Sequence, residues 1–210
     1  MITIEMTEVT GWEAAIRGMR NPLNSWAKSD SHLSADFLED HLYIGKNDFD
    51  LMKKLIKSGT DHAKFMRMII VTCDITAPLY WWKEFDTYKV GTVRNSCSTM
   101  HKIHAKEFTL GDFSHEHLYH ETEEVLRSLI SWLNECRRLY VETGVKQDWW
   151  NLIQLLPESY NQRSTVQMNY AVLRNMYHSR HNHKLDEWRD FCKWVESLPY
   201  SKLITDKEVE

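Results

Sequence analysis

Hydrophobic and polar positions alternate at Ile2, Ile4 and Met6, which predicts an opening strand. Trp12 to Met19 reads as a helix that runs out near Gly18, Asn21 and Pro22. Asn24 to Asp36 is polar and serine-rich and reads as loop. Asn47 and Asp48 read as an N-cap pair for a helix through Lys57, closed by Gly59, with Leu51, Leu55 and Ile56 as its apolar stripe. Phe65 to Ile75, dominated by Met, Ile, Val and Thr, predicts a buried strand. Pro78 suits the first turn of a helix in which Leu79, Trp82 and Phe85 recur at helical spacing. A dense polar loop is expected next, from Tyr88 to Ser98.

After a loop from Leu110 to His120, the longest helical pattern runs from Glu121 to Glu142. Its expected inner face is Val125, Leu129, Trp132, Leu133, Cys136 and Tyr140. Gln147 to Leu155 is a helix stopped at Pro157. Arg163 to Met168 is a strand, and helices over Asn169–Ser179 and Lys184–Ser197 close the chain before a polar tail. Few strands among many helices predict an α+β fold, a small antiparallel or mixed sheet covered by helices. No composition break divides the 210 residues, so a single domain is expected.

Composition narrows the function classes. Hydrophobic residues make up 42% of the chain, enough for a substantial core at this length. The net charge of −4 disfavours a globally basic nucleic-acid binder. Cys73, Cys97, Cys136 and Cys192 are scattered with no CxxC pair, which fits reduced thiols in a cytoplasmic protein. The N-terminus has no basic region followed by an apolar run, and no stretch approaches a membrane span, so a soluble protein is expected.

The segment Tyr88-Lys89-Val90-Gly91-Thr92-Val93-Arg94-Asn95-Ser96-Cys97-Ser98 offers positive charge from Lys89 and Arg94. Asn95, Ser96 and Ser98 add short hydrogen-bonding side chains, and Gly91 permits close backbone approach. That mixture suits a phosphate or a nucleobase, and it also fits a solvated loop. Asn169 and Arg180 are eleven positions apart, so they share one helix face about 16 Å apart along the axis. His62 precedes the predicted buried strand and is a candidate ligand contact. His115, His117 and His120, with Glu116 and Glu121, lack any diagnostic metal spacing, so no metal is assigned. No GxSxG, Walker or GxGxxG motif is present.

The order of these features resembles that of the flavin-dependent thymidylate synthases over most of the chain. His62 with Phe65 is similar to the family's His before a buried strand. Pro78 and the aromatic helix after it resemble the approach to the family's Arg-His-Arg motif, which falls here at Thr87-Tyr88-Lys89 or Tyr88-Lys89-Val90. Asn95-Ser96-Cys97-Ser98 resembles the polar continuation of that motif, with Met100-His101 where Arg-Tyr is expected. Leu155-Leu156-Pro157 and the strand into Asn169 match in the C-terminal half, with Ile153 and Ala171 at expected Arg positions and Asp186 where Gln is usual.

The resemblance implies a homotetramer with FAD between subunits, which methylates dUMP using methylenetetrahydrofolate and NADPH. It places His62, Lys89, Asn95 and Asn169 at the cofactor, and Arg94, Ser96 and Ser98 at the deoxynucleotide. Arg180 stands where the family contacts the uracil ring and is the expected catalytic residue. Arg is not freely replaced where it grips a phosphate or carbonyl in two-pronged fashion. The lost arginines therefore set beside the flavoenzyme an alternative: a non-catalytic, phage-encoded homologue that binds a nucleotide or a protein.

Overall fold

The structure is a computed structural model and describes residues 1–36 and 39–207. The N-terminal elements are β1 (Thr3–Thr10), α1 (Trp12–Arg20), β2 (His32–Asp36), β3 (Glu39–Tyr43) and α2 (Lys46–Lys57). β4 (Ile70–Pro78), α3 (Leu79–Phe85), β5 (Thr92–Ser96) and α4 (Thr99–Lys102) follow. Then come α5 (His120–Thr143), α6 (Lys146–Leu155), β6 (Asn161–Asn169), α7 (Tyr170–Arg180), α8 (Asp186–Glu196) and α9 (Lys202–Thr205).

Four strands pair antiparallel in the order β1-β4-β6-β5, and β2 and β3 form a separate two-stranded ribbon. This is the expected α+β class. The period of two in β4 puts Val71, Cys73, Ile75 and Ala77 on the buried face, beside Val166 and Met168 of β6. α1, α3, α7 and α8 cover that face with Trp12, Trp81, Trp82, Phe85, Leu173, Trp188 and Phe191 in one apolar cluster. The opposite face stays polar: Asp74 accepts hydrogen bonds from Thr165 at 2.5 Å and Arg163 at 2.7 Å. A one-faced antiparallel sheet gives this alternation. A second cluster joins α5 and α6 through Leu126, Ile130, Leu133, Cys136 and Leu152, with Phe108 and Phe113.

Several expected boundaries move, each for a local reason. Met6 does not continue the Ile2/Ile4 stripe: the register shifts between Glu5 and Glu8, and Met6 takes φ 53° and faces solvent. An extra residue in one strand flips the side chains after it. Phe65 and Met66 are buried in a 3-10 helix (Ala63–Arg67), and the strand starts only at Ile70. On α5 the inner face is Leu126, Ile130, Leu133 and Cys136, whereas Val125 and Trp132 are exposed. The Asn24–Asp36 loop ends in β2. Asp48 is not a cap residue: α2 starts at Lys46, and Asp48 is wholly buried against Arg20.

Candidate functional site

The expected polar loop is in large part a strand. β5 pairs Thr92–Ser96 against Met168–Ser164 of β6 and forms one edge of the sheet. Successive strand residues point to opposite faces, so the expected cluster is divided. Arg94 turns toward α3, while Asn95, opposite Thr165, lies exposed on the polar face.

Arg94 is consumed by internal partners. Its Nε donates to Ser164 Oγ at 3.0 Å, Nη1 to Asp86 Oδ2 at 2.7 Å and Nη2 to Gln162 Oε1 at 2.5 Å. The guanidinium lies 3.8 Å from the centre of the Trp82 ring. Gln162 and Ser164 are polar residues at inward positions of β6, and both are buried. A buried polar group needs a partner, and here that partner is Arg94.

Arg180 is engaged in the same way at the far end of α7. Its Nε donates to Tyr88 Oη at 2.9 Å and its Nη1 to Glu84 Oε2 at 2.7 Å. Glu84 Oε2 also accepts from Trp188 Nε1 at 2.8 Å, and the Arg180 guanidinium lies 4.8 Å from the Trp188 ring centre. Each candidate arginine is thus neutralised by a carboxylate from the end of α3 or just after it. Glu84, Asp86, Tyr88, Gln162, Ser164 and Trp188 were not among the expected site residues. The usable signal was the pair of polar residues at inward positions of β6.

Asn169 caps α7, its Oδ1 accepting from the Val172 amide at 2.9 Å. The chain passes it at Gly91, where φ is +86° and an added Cβ would fall 2.6 Å from Asn169 Nδ2. Only glycine tolerates both that backbone and that approach. Tyr88 touches Arg180 and Gly91 touches Asn169, so the Tyr88–Gly91 turn follows α7 between its two ends. Ser98 caps α4 by accepting from the His101 amide at 3.1 Å. Lys89, Asn95 and Ser96 are exposed. His62 is exposed in the turn between α2 and the 3-10 helix, and among the described residues no side-chain hydrogen bond joins it to this strip.

Cys97 directly follows β5 and is exposed, not packed, whereas Cys73, Cys136 and Cys192 are buried. Burial pushes the Cys73 and Cys192 thiols up to about 12. One thiol, that of Cys97, is therefore expected to react with a water-soluble disulfide reagent in native protein, and all four after denaturation. Loss of the fast-reacting thiol in Cys97→Ser checks this. Among the described residues no group of three His, Cys, Asp or Glu side chains converges to hold a metal, and no helix is long and apolar enough to cross a membrane.

A flavin nucleotide brings a pyrophosphate that needs positive charge or clustered donors. Arg94 and Arg180 are committed to carboxylates, the acceptor oxygen of Asn169 is committed to its helix, and His62 lies apart. Lys89, Asn95 and Ser96 are exposed, with Asn95 and Ser96 on opposite faces of β5.

No family model matches the chain, and no curated protein matches it by sequence. Solved structures do match. One is flavin-dependent thymidylate synthase ThyX from Helicobacter pylori complexed with FAD and dUMP: TM-score 0.70, 18% identity, covering 97% of this chain and 98% of that one. A second structure of the same enzyme, also with FAD and dUMP, matches with TM-score 0.70 and 18% identity over 98% of each chain. The chain therefore has the fold of a flavin-dependent thymidylate synthase.

Proposed function

We propose that this chain is a divergent thymidylate synthase-like protein that binds a nucleotide at the β5 edge and has lost dUMP methylation. The ancestral reaction is the reductive methylation of dUMP with FAD, NADPH and methylenetetrahydrofolate. The observation that carries the reading is the neutralisation of both candidate arginines, Arg94 by Asp86 and Arg180 by Glu84. A guanidinium already bound to a carboxylate has little attraction left for a phosphate or a developing oxyanion. Lys89, with no ion-pair partner among the described residues, supplies the remaining charge, and the exposed edge of β5 supplies hydrogen bonds. Calorimetric titration tests this: weak dUMP binding, weakened further in Lys89→Ala, is expected. Tight dUMP binding that depends on Arg180 would overturn it.

One observation favours a second reading, a flavoenzyme completed between copies. Val125 and Trp132 are seven positions apart on α5, at 69% and 66% exposure, and would be covered in a homotetramer. FAD bound between subunits could then draw on His62, Lys89, Asn95 and Asn169 from different copies. Native mass spectrometry of untreated protein reports subunit number and co-purified flavin together. A flavin-bearing tetramer would favour this second reading, and a flavin-free monomer would remove it.

A further inference from the structure

A basic cleft lies away from the β5 edge. It has a volume of about 780 Å³ and opens between α2, α7, α9 and the segment after α9. Its walls carry Lys53, Lys54, Lys57, Arg174, Lys202 and Lys207 against only two carboxylates, Asp50 and Asp206. Among the described lining residues the balance is four positive charges, on a chain whose net charge is −4.

Three of the cations are spoken for. Lys53 pairs with Asp50 at 3.2 Å, and Lys207 donates to Glu196 at 2.7 Å. Arg174 donates to Asp206 at 2.5 Å and to the Ile204 carbonyl at 3.0 Å. Lys54, Lys57 and Lys202 are exposed and have no carboxylate partner among the described residues.

Helix polarity accounts for part of this set. Lys54 and Lys57 lie in the last turn of α2, where the helix dipole favours a cation by roughly 0.3–1 kcal/mol. It does not account for Lys202, which opens the one-turn α9. The three unpaired ammonium groups, from α2 and α9, repel each other across one concave space until an anion enters. Ammonium groups are compact charges suited to phosphate, and Phe49 and Ile56 give the same cleft an apolar wall.

We infer that this cleft binds a small anion carrying several contiguous phosphates, with Lys54, Lys57 and Lys202 as its primary contacts. Inorganic tripolyphosphate and a deoxynucleoside triphosphate share that chemistry. The cleft's volume admits either, and the apolar wall is where a base would rest.

The test is isothermal titration calorimetry of the full chain at low ionic strength with each of these two probes. Binding of tripolyphosphate that weakens with added salt is expected, and the triple variant Lys54→Gln/Lys57→Gln/Lys202→Gln should lose about tenfold or more in affinity. These side chains are exposed, so the variant should keep the far-UV circular dichroism of the parent. Lys146→Gln, on the surface of α6, should bind as the parent does. Equal affinities for the two probes support a site for the phosphates alone, and tighter binding of the nucleotide supports use of the apolar wall. No binding of either probe, or equal binding by the triple variant, overturns the inference. Much tighter binding of a single-stranded oligonucleotide than of either probe would also overturn it, in favour of a nucleic-acid surface. The site shares no residue with the β5 edge, so Lys89→Ala separates failure here from failure there.

Discussion

Replacing Asp48 with Asn should destabilise the protein by about 3–5 kcal/mol, the cost of breaking a buried ion pair from one side. Asp48 is fully buried and Arg20 is 4% exposed. The Asp48 carboxylate accepts from Arg20 Nε at 2.6 Å, from the Ser29 and Ser31 hydroxyls at 2.7 Å, and from the Asp30 and Ser31 amides at 3.1 Å. One side chain thus ties α1 and α2 to the turn before β2. The amide replacement keeps the shape but leaves the Arg20 charge buried without a counter-ion. It also turns an NH2 group toward donors that need an acceptor.

The pH dependence has a definite sign. Burial alone would raise the Asp48 carboxyl, but hydrogen bonds from Ser31, Ser29 and Arg20, with the Arg20 charge, outweigh it and hold the group below its ordinary value of 3.8. A carboxyl depressed in the folded state contributes its stability in full above the unfolded value. That contribution is lost as pH falls through the folded-state value. Urea unfolding from neutral pH to below the ordinary carboxylate range should show this loss in the parent and a flatter profile in Asp48→Asn. Nucleotide binding at the β5 edge should be unaffected, since Asp48 has no contact there.

The second large effect is a gain. The double variant Glu84→Gln/Asp86→Asn should bind dUMP about tenfold or more tightly than the parent, because it releases two guanidinium groups from their carboxylates. Two charges about 4 Å apart interact by several kcal/mol at the effective dielectric of a protein surface, so even a fraction of that term suffices. Arg94 is 16% exposed and Arg180 is 19% exposed, close enough to solvent for a ligand to reach once they are freed. Gln at position 84 can still accept from Trp188 Nε1, which protects the aromatic packing around Trp81, Trp188 and Phe191. Calorimetry with dUMP reads the gain. An unchanged affinity would mean that neutralisation of the arginines is not what weakens binding.

The covered half of the sheet could be read from the sequence because its chemistry is plain. Val71, Cys73, Ile75 and Ala77 alternate with polar residues, and the Asn-capped start of α7 follows β6 directly. β5 was hidden because Thr-Val-Arg-Asn-Ser has no apolar face. Its central inward residue is Arg94, half-buried against Trp82 and two polar side chains, which period-two hydrophobicity cannot register. α5 departs from expectation at two positions for the converse reason: Val125 and Trp132 are apolar yet exposed, whereas Leu133 and Cys136 of the same expected stripe are buried and Leu129 packs beside them. The Arg20–Asp48 pair has no local signature, because its partners are 28 positions apart. At the candidate site the residue types were evident, but their commitments were not. Glu84 and Asp86 meet Arg180 and Arg94 only once α3, β5 and α7 are packed.

A thymidylate synthase fold here carries a site whose arginines are internally neutralised. The most direct measurement is formation of dTMP by purified protein supplied with dUMP, FAD, NADPH and methylenetetrahydrofolate. No dTMP above the protein-free background is predicted, while dUMP binding remains detectable. Steady dTMP formation that disappears in Arg180→Ala would contradict the account.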